Sequence, residues 1–421
     1  MSDEPAAPTL ALAQARARML AGVMPIAERE TLPLMQALGR VLAEPVTAQV
    51  DVPGHTNSAM DGFALRSADA RGETSRLRLI GDSFAGHPFA GPVGPGECVR
   101  IMTGGVLPEG ADAVVMQERT RREGDDVIVE RPVDPGNSIR PAGEDLTRGQ
   151  PVLDAGRRIT PADMGMLASG GAAQVSVFRR PRVAFYSTGD ELRPVGTPLK
   201  PGQIYDSNRY SLHALLSELG VELLDLGVVP DDPTALKTTL RRAAGECDAV
   251  VTSGGVSVGE ADHVLDVLES VGDVGFWKVA MKPGKPLAFG RVDDALFFGL
   301  PGNPVSVVVT FLQLVRPALV RLAGSWPRPP LRMPARLAAP IRRNPGRLEF
   351  QRGRLAHDEA GATVAPLGHQ GSGVLRSMSE ADCFIVLPAD CAELAAGDRV
   401  SVEPFAQPVW NGSADDWCEK E

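Results

Sequence analysis

Aromatic residues are scarce in this 421-residue chain, at 5%, and histidine occurs six times. Few rings disfavour a surface that binds nucleic acid by stacking bases. No HExxH or HxxxH pair occurs, which argues against a helix-borne zinc site. The five cysteines, Cys98, Cys247, Cys383, Cys391 and Cys418, are odd in number and never form a CxxC pair. A disulfide framework is therefore not expected, and a reducing cytosol fits best. Lys and Arg number 43 against 53 Asp and Glu, for a net charge of −10. That excludes a nucleic-acid binder with a chain-wide basic footprint. Long apolar runs are missing too. The most apolar helical stretch, Pro304 to Leu314, is broken by Ser306, Thr310 and Gln313 and reads as a buried core helix rather than a membrane span. The start, Met1 to Thr9, has no basic region followed by an apolar one, so a cytoplasmic protein with no membrane partner is expected. Neither GxxxxGK[ST] nor GxGxxG is present.

What the chain does have is glycine and proline, 45 and 36 residues, about a fifth of the total and without a period. Such punctuation marks many tight turns between short elements. The length predicts about three domains. Leu10 to Leu20 and Leu32 to Leu42 read as amphipathic helices. From Val52 short strands follow, at Leu77–Ile80, Cys98–Met102, Ala113–Gln117 and Val127–Val129. Gly156 to Ala168 returns to a helical pattern, with Pro161 in its first turn. After Pro181 strands and helices alternate regularly. Asp206 or Ser207 caps a helix that ends at Gly220, and Asp232-Pro233 opens the next. Glu260–Val271 and Asn303–Leu322 complete the helices of a doubly wound α/β domain. Trp326-Pro-Arg-Pro-Pro330 is a stiff linker to a strand-rich end with no convincing helix, read as a small barrel or sandwich.

In open α/β sheets ligands bind outside the carboxyl ends of the strands. Five predicted loops gather there: Ser187–Glu191, Pro230–Pro233, Ser253–Asp262, Lys282–Pro286 and Leu300–Pro304. The loop Ser253-Gly254-Gly255, continuing through Ser257 to Gly259, leads into a helix, so its amides can cradle an oxyanion. A tight turn with incidental glycines reads equally well. Glu191, Asp231 and Asp262 suit a divalent cation such as Mg²⁺, whereas Asp232 is better explained as a helix cap. Lys278, Lys282 and Lys285 would supply positive charge; Lys278 and Lys282, four residues apart, are expected to leave one strand face together.

These stretches carry a resemblance. Asn57-Ser-Ala-Met-Asp-Gly-Phe63, Arg100-Ile-Met-Thr-Gly104, Gly143-Glu-Asp145, Ser187-Thr-Gly-Asp-Glu-Leu192, Gly202-Gln-Ile-Tyr-Asp-Ser-Asn208, Lys282-Pro-Gly-Lys-Pro286 and Leu300-Pro-Gly-Asn-Pro304, with Phe350-Gln-Arg-Gly353 and Gly368-His-Gln-Gly-Ser372, resemble the molybdopterin molybdenumtransferase (MoeA) family, related to the gephyrin E domain. Phe63 stands where the family commonly has Tyr. The resemblance implies an α/β plus β multidomain chain. It has a discontinuous, elongated N-terminal helical and strand domain (10–52 with 141–180) and a β-rich second domain (53–140). A doubly wound α/β molybdenum-cofactor-type domain (181–325) and a C-terminal β-barrel (331–406) follow.

It further implies that molybdenum from molybdate is inserted into adenylylated molybdopterin, with Mg²⁺-dependent cleavage of the phosphoanhydride and release of AMP. By the same resemblance, Glu191, Asp231 and Asp262 are catalytic and metal-handling, and Lys278 and Lys282 bind anions. Ser253, Gly254, Gly255, Ser257, Lys285, Pro301 and Asn303 line the substrate site, together with Arg352 and Ser372 of the barrel. Asp61, Thr103, Arg140 and Asp145 would come from the second subunit of a homodimer with a shared site. A molybdopterin adenylyltransferase and recipient molybdoenzymes or their chaperones are the implied transient partners. The alternatives are a molybdopterin adenylyltransferase, a non-enzymatic scaffold, and a molybdate storage or sensing protein.

Overall fold

The computed structural model describes residues 9–255, 267–268 and 270–405. They form two bodies, one comprising Arg29–Val177, the other the residues up to Glu28 together with those from Phe178 onward.

In the first body a six-stranded sheet runs in the order Ala113–Met116, Gly62–Leu65, Glu97–Ile101, Ser75–Ser83, Asp126–Val129, Thr120–Glu123. It packs around Phe63, Leu65, Leu77, Cys98, Val115 and Val127. A second core, with Leu42, Leu153, Ile159, Leu167 and Val177, lies where Val46–Thr47 pairs with Pro151–Leu153 and Arg29–Pro33 with Gln174–Phe178. The helix Pro161–Ser169 starts later than its sequence pattern suggests. Thr160 caps it, accepting a hydrogen bond from the Asp163 amide while Asp163 answers the Thr160 amide. The helix expected over Leu32–Leu42 is not there. Strand Arg29–Pro33 gives way to one 3₁₀ turn, Leu34–Gln36, and Gly39 takes φ +74°. Local apolar spacing lost to cross-chain bonding: the amides of Leu34, Gly39 and Leu42 donate to Ala173, Ile159 and Arg157 carbonyls. Met35 and Leu38 point outward, 86% and 54% exposed.

The other body holds a seven-stranded sheet. Its order is Thr9–Leu10, Gly272–Val279, Pro286–Val292, Ala295–Leu300, Ala249–Ser253, Arg182–Thr188, Glu222–Val229. The last four of these are mutually parallel, while Pro286–Val292 runs antiparallel to both neighbours, so the sheet is mixed. Asp206 caps helix Ser207–Leu219, which ends at Gly220 in the left-handed region, and Asp232 caps Pro233–Glu246. Most of the helix expected over 260–271 falls outside the described residues. The N-terminal segment belongs here rather than with the first body: Thr9–Leu10 adds an edge strand, and helix Leu12–Ala21 buries Leu12, Ala15 and Met19 in the α/β core.

The long helix from Pro304 to Leu322 is the spine of this core. By length and composition it would suffice to cross a membrane, but 72% of its apolar window is buried inside the protein. It contains a π turn over Phe311–Val315, directly before Pro317. Proline has no N–H, so the Gln313 carbonyl loses its i+4 donor. Arg16 supplies the replacement: its Nε donates to that carbonyl at 3.1 Å and its Nη2 to the Gln313 side chain at 2.9 Å.

Beyond the linker, five strands close into a barrel. Leu348–Asp358 pairs with Gly361–Pro366 and Cys383–Leu387; Met333–Leu337 and Arg399–Pro404 complete the ring. One short helix, Arg376–Ser379, appears where the sequence suggests none. Among the described residues four cysteines are free thiols, and burial pushes Cys98 and Cys383 up to about 12.

Replacing Arg16 by Met should leave the Gln313 carbonyl without its donor and cost about 2 kcal/mol, the range for an unsatisfied buried polar group. Denaturant unfolding of the two proteins checks this, and Arg16→Lys should recover part of the loss.

Candidate functional site

Register places the site. Ser187 lies level with Ser253, and Ser253 with Leu300, so the loops that follow these three strands emerge at one sheet edge. Since Gly272–Val279 and Pro286–Val292 are antiparallel, with Lys278 opposite Pro286, the Lys282–Lys285 turn joins them at that same edge. The result is a cleft of about 1370 Å³, walled on one side by these loops and on the other by the barrel loop 370–373.

The loops are packed backbone to backbone. Gly254 adopts φ +90°, and a Cβ there would lie 2.4 Å from the Thr188 carbonyl oxygen, so only glycine fits. Its amide donates to the Leu300 carbonyl at 3.1 Å and is therefore engaged within the sheet. Ser253 is likewise committed, its hydroxyl 3.1 Å from that of Ser187 in the buried floor. Asn208 Nδ2 donates to the Gly302 carbonyl at 2.7 Å, pinning the start of helix Ser207–Leu219 to the Pro301–Asn303 loop. The Lys282–Lys285 turn rests on the spine: Gly284 has φ +98°, and a Cβ would meet Thr310 Oγ1 at 2.4 Å. Pro283 and Gly284 are buried while Lys282 and Lys285 are exposed, so this turn presents two ammonium groups from a fixed base.

The barrel wall is anchored by Arg352, whose residue is 1% exposed. Its Nη2 donates to the carbonyls of Gly371 (3.3 Å) and His369 (3.4 Å), and its Nε to the Ser377 hydroxyl (3.1 Å). Burial lowers its pKa to about 10, partly opposed by the charge of Glu349, so it stays cationic at neutral pH. Gln370 bridges back to the Arg352 backbone in both directions, at 2.8 and 2.9 Å. The Ser372 carbonyl then accepts from the Val305 amide (3.0 Å), which docks the loop on the first turn of the spine helix.

Of the residues singled out from sequence, Glu191, Asp231, Ser253, Gly254, Gly255, Lys282, Lys285, Pro301, Asn303 and Ser372 all line this cleft. Arg352 stands behind the wall and shapes it. Lys278 is not among the lining residues, and it does not share a strand with Lys282. The sheet strand ends at Val279, and Met281–Lys282 pairs instead with Leu348–Glu349 of the barrel, which breaks the alternation assumed from sequence. Asp262 and Ser257 lie outside the described residues. Asp61, Thr103, Arg140 and Asp145 belong to the other body. There Asp61 Oδ1 accepts from both the amide and the hydroxyl of Thr103, each at 2.8 Å, and the amide contact leads in lowering its pKa. Arg140 and Asp145 are exposed.

Several cleft residues escaped the sequence reading. Asp206 caps its helix, Oδ1 accepting from the Arg209 amide, and lines the cleft; its buried Oδ2 has no hydrogen-bond partner among the described residues. Tyr205, Arg347, Glu349 and Gln370 also line it. Arg347 and Glu349 carried no loop signal, because they come from the barrel, far along the chain, while Gln370 lies within the Gly368–Ser372 motif. The cleft therefore combines the carboxylates of Glu191, Asp206, Asp231 and Glu349 with the cations Lys282, Lys285 and Arg347. Cations and carboxylates in one concave site suit a polyanionic ligand accompanied by a metal ion.

Sequence models of the MoeA N-terminal region (domains I and II), a probable molybdopterin binding domain and the MoeA C-terminal region (domain IV) match residues 10–171, 184–321 and 334–405. A molybdopterin molybdenumtransferase of Haemophilus influenzae is 44% identical over 401 residues, 94% of this chain and 98% of the relative. The chain belongs to the molybdopterin molybdenumtransferase family. A second relative, molybdopterin molybdenumtransferase 2 of Mycobacterium tuberculosis, is 39% identical over 92% of this chain and 98% of its own length. The crystal structure of a molybdopterin biosynthesis moeA protein from Pyrococcus horikoshii OT3 superposes with a TM-score of 0.82 at 31% identity. It covers 94% of this chain and all of that one. The multidomain architecture, with its α/β domain and closed barrel, is thus that of the family.

A methyl group at Gly284 would collide with Thr310 and Met281 in a left-handed turn. Gly284→Ala should lower stability by about 1–3 kcal/mol, the combined scale of left-handed strain and overpacking. A drop of several degrees in the thermal unfolding midpoint checks it.

Proposed function

We propose that this protein inserts molybdenum from molybdate into adenylylated molybdopterin, with cleavage of the phosphoanhydride and release of AMP. One observation carries the proposal: a single cleft of about 1370 Å³ holds three cationic side chains and four carboxylates between a rigid sheet edge and a docked barrel loop. A pterin joined to a nucleotide and a separate oxyanion are both anionic and repel one another. Lys282, Lys285 and Arg347 lower that repulsion by fixed positive charge, which costs no reorganisation when charge moves to the departing AMP. Walling by Pro283, Gly284, Pro301 and Ser372 limits water around the anhydride.

Mg²⁺ belongs to the same proposal. Glu191 and Asp231 both line the cleft, and the Glu191 carboxylate lies against Gly189, where a Cβ would stand 2.6 Å from its Oε2, so only glycine leaves it that place. Among the described residues no group of three or more metal-ligating side chains is assembled. Mg²⁺ commonly takes few carboxylates and completes its shell with water and substrate oxygens. When bound, Mg²⁺ would supply charge neutralisation at the anhydride. Glu191 and Asp231 would hold it, with Asp262 as the third carboxylate on the strength of the family resemblance.

A homodimer with a shared site is also proposed, since Asp61, Thr103, Arg140 and Asp145 form polar motifs in a body that lacks the cleft. A cytoplasmic location and transient contacts with the adenylyltransferase and with recipient molybdoenzymes follow from the same reading.

AMP release measured with adenylylated molybdopterin and molybdate tests the activity; AMP appearing only with both supports turnover over storage or scaffolding. Asp231→Asn should cut Mg²⁺-dependent AMP release by about 100-fold or more while leaving the unfolding midpoint within a few degrees, since a loop carboxylate that binds metal serves chemistry rather than packing. Wild-type release at matched Mg²⁺ would remove Asp231 from this role.

A further inference from the structure

Glu349 is a carboxylate in the wrong place for an anion-binding cleft, and its surroundings explain why it is tolerated. It lies in barrel strand Leu348–Asp358, in register with Lys282. Its side chain is 3% exposed. Oε2 is 2.7 Å from Arg343 Nε, and the Arg343 side chain is itself 2% exposed. Oε1 is 2.9 Å from Lys282 Nζ. Arg343 is further held by the Pro388 carbonyl at 2.5 Å.

One buried guanidinium already neutralises one buried carboxylate. The second cation is therefore surplus to the stability of the barrel, and it is the only member of the triad that reaches solvent, 46% exposed. Lysine is a point charge on a flexible four-carbon stem and pays rotamer entropy wherever it is fixed. Lys282 and Glu349 both line two cavities, the main cleft and a second of about 950 Å³ on the barrel side, walled also by Arg342 and Glu393. Without a tether the Lys282 ammonium group would divide its time between them.

We propose that Glu349 is a positioning residue: its buried carboxylate, neutralised from behind by Arg343, fixes the Lys282 ammonium at the edge of the main cleft. This rests on the reading of Lys282 as an oxyanion-binding side chain. Glu349 binds no substrate itself; it sets the place of the charge that does. The arrangement also leaves the triad with a net positive charge that faces the cleft.

The test is the molybdate concentration for half-maximal AMP release, measured on the full-length protein. Glu349→Gln should raise it roughly tenfold, the scale of one charge-assisted contact, with a much smaller change in the saturating rate. Glu349→Asp should recover part of the loss, and Lys282→Ala/Glu349→Gln should be no worse than Lys282→Ala, because Glu349 acts only through Lys282. Leaving Arg343 unpaired costs the barrel stability, so Arg343→Gln/Glu349→Gln, which removes both buried charges, must show the same raised half-saturation. A lowered saturating rate at unchanged half-saturation, or a double variant that adds to Lys282→Ala, would reduce Glu349 to a structural role and overturn the proposal. If Lys282→Ala itself leaves the molybdate dependence unchanged, the reading of Lys282 fails first, and this proposal with it.

Discussion

The cleft exists because Met281 and Lys282 leave the α/β sheet and pair with Leu348 and Glu349 of the barrel. That short ladder sits above a continuous apolar core. Phe350, Phe384 and Val386 of the barrel belong to the same cluster as Phe298, Val305, Phe311 and Leu314 of the α/β domain. Phe350 and Phe384 meet edge to face at 5.6 Å across it. Sheet edge and barrel loop are consequently parts of one packed unit, and packed cores resist continuous deformation. A site built on two such walls holds its charges at fixed separation, the preorganisation that anion chemistry requires.

Several polar groups under the cleft are answered by distant neighbours. Arg16 answers the carbonyl that Pro317 orphans, and Gln313 Nε2 donates to Glu403 Oε1 of the barrel at 2.6 Å. Arg352 satisfies the carbonyls of the barrel loop. These arginines are buried or half-buried and hydrogen-bonded within the protein, whereas Lys282 and Lys285 are exposed on a buried turn. Burial separates the two classes better than residue type does.

The α/β half was legible because its signals are local. Asp206, Asp232 and Gly220 cap helices as their residue types dictate, and glycine at 254 and 284 marks close backbone approach. The alternation of strands and helices announced the α/β domain, and the convergence of loops at one edge followed from the rule for open sheets. What failed were readings that needed distant partners. Apolar spacing at Leu32–Leu42 imitated a helix because nothing local announces that Ala173 and Arg157 will claim its amides. The parity argument for Lys278 and Lys282 assumed an unbroken strand, and the break at Ala280 is imposed by the barrel. Glu349, Arg347 and Gln370 could not be foreseen as cleft residues by spacing, since they lie some 60 to 90 positions from the Lys282 turn. The motif Gly368–Ser372 covers the barrel loop that lines the cleft.

The most direct measurement is a crystal structure of the protein soaked with AMP and molybdate. Density for the nucleotide phosphate and for molybdate is expected within the one cleft, with the oxyanion against Lys282, Lys285 and the Ser372 loop and the phosphate towards Gly255 and Asp231. Either ligand ordered only in the barrel-side cavity, or on a surface away from the Thr188, Gly254 and Pro301 loops, would contradict a shared site for both substrates.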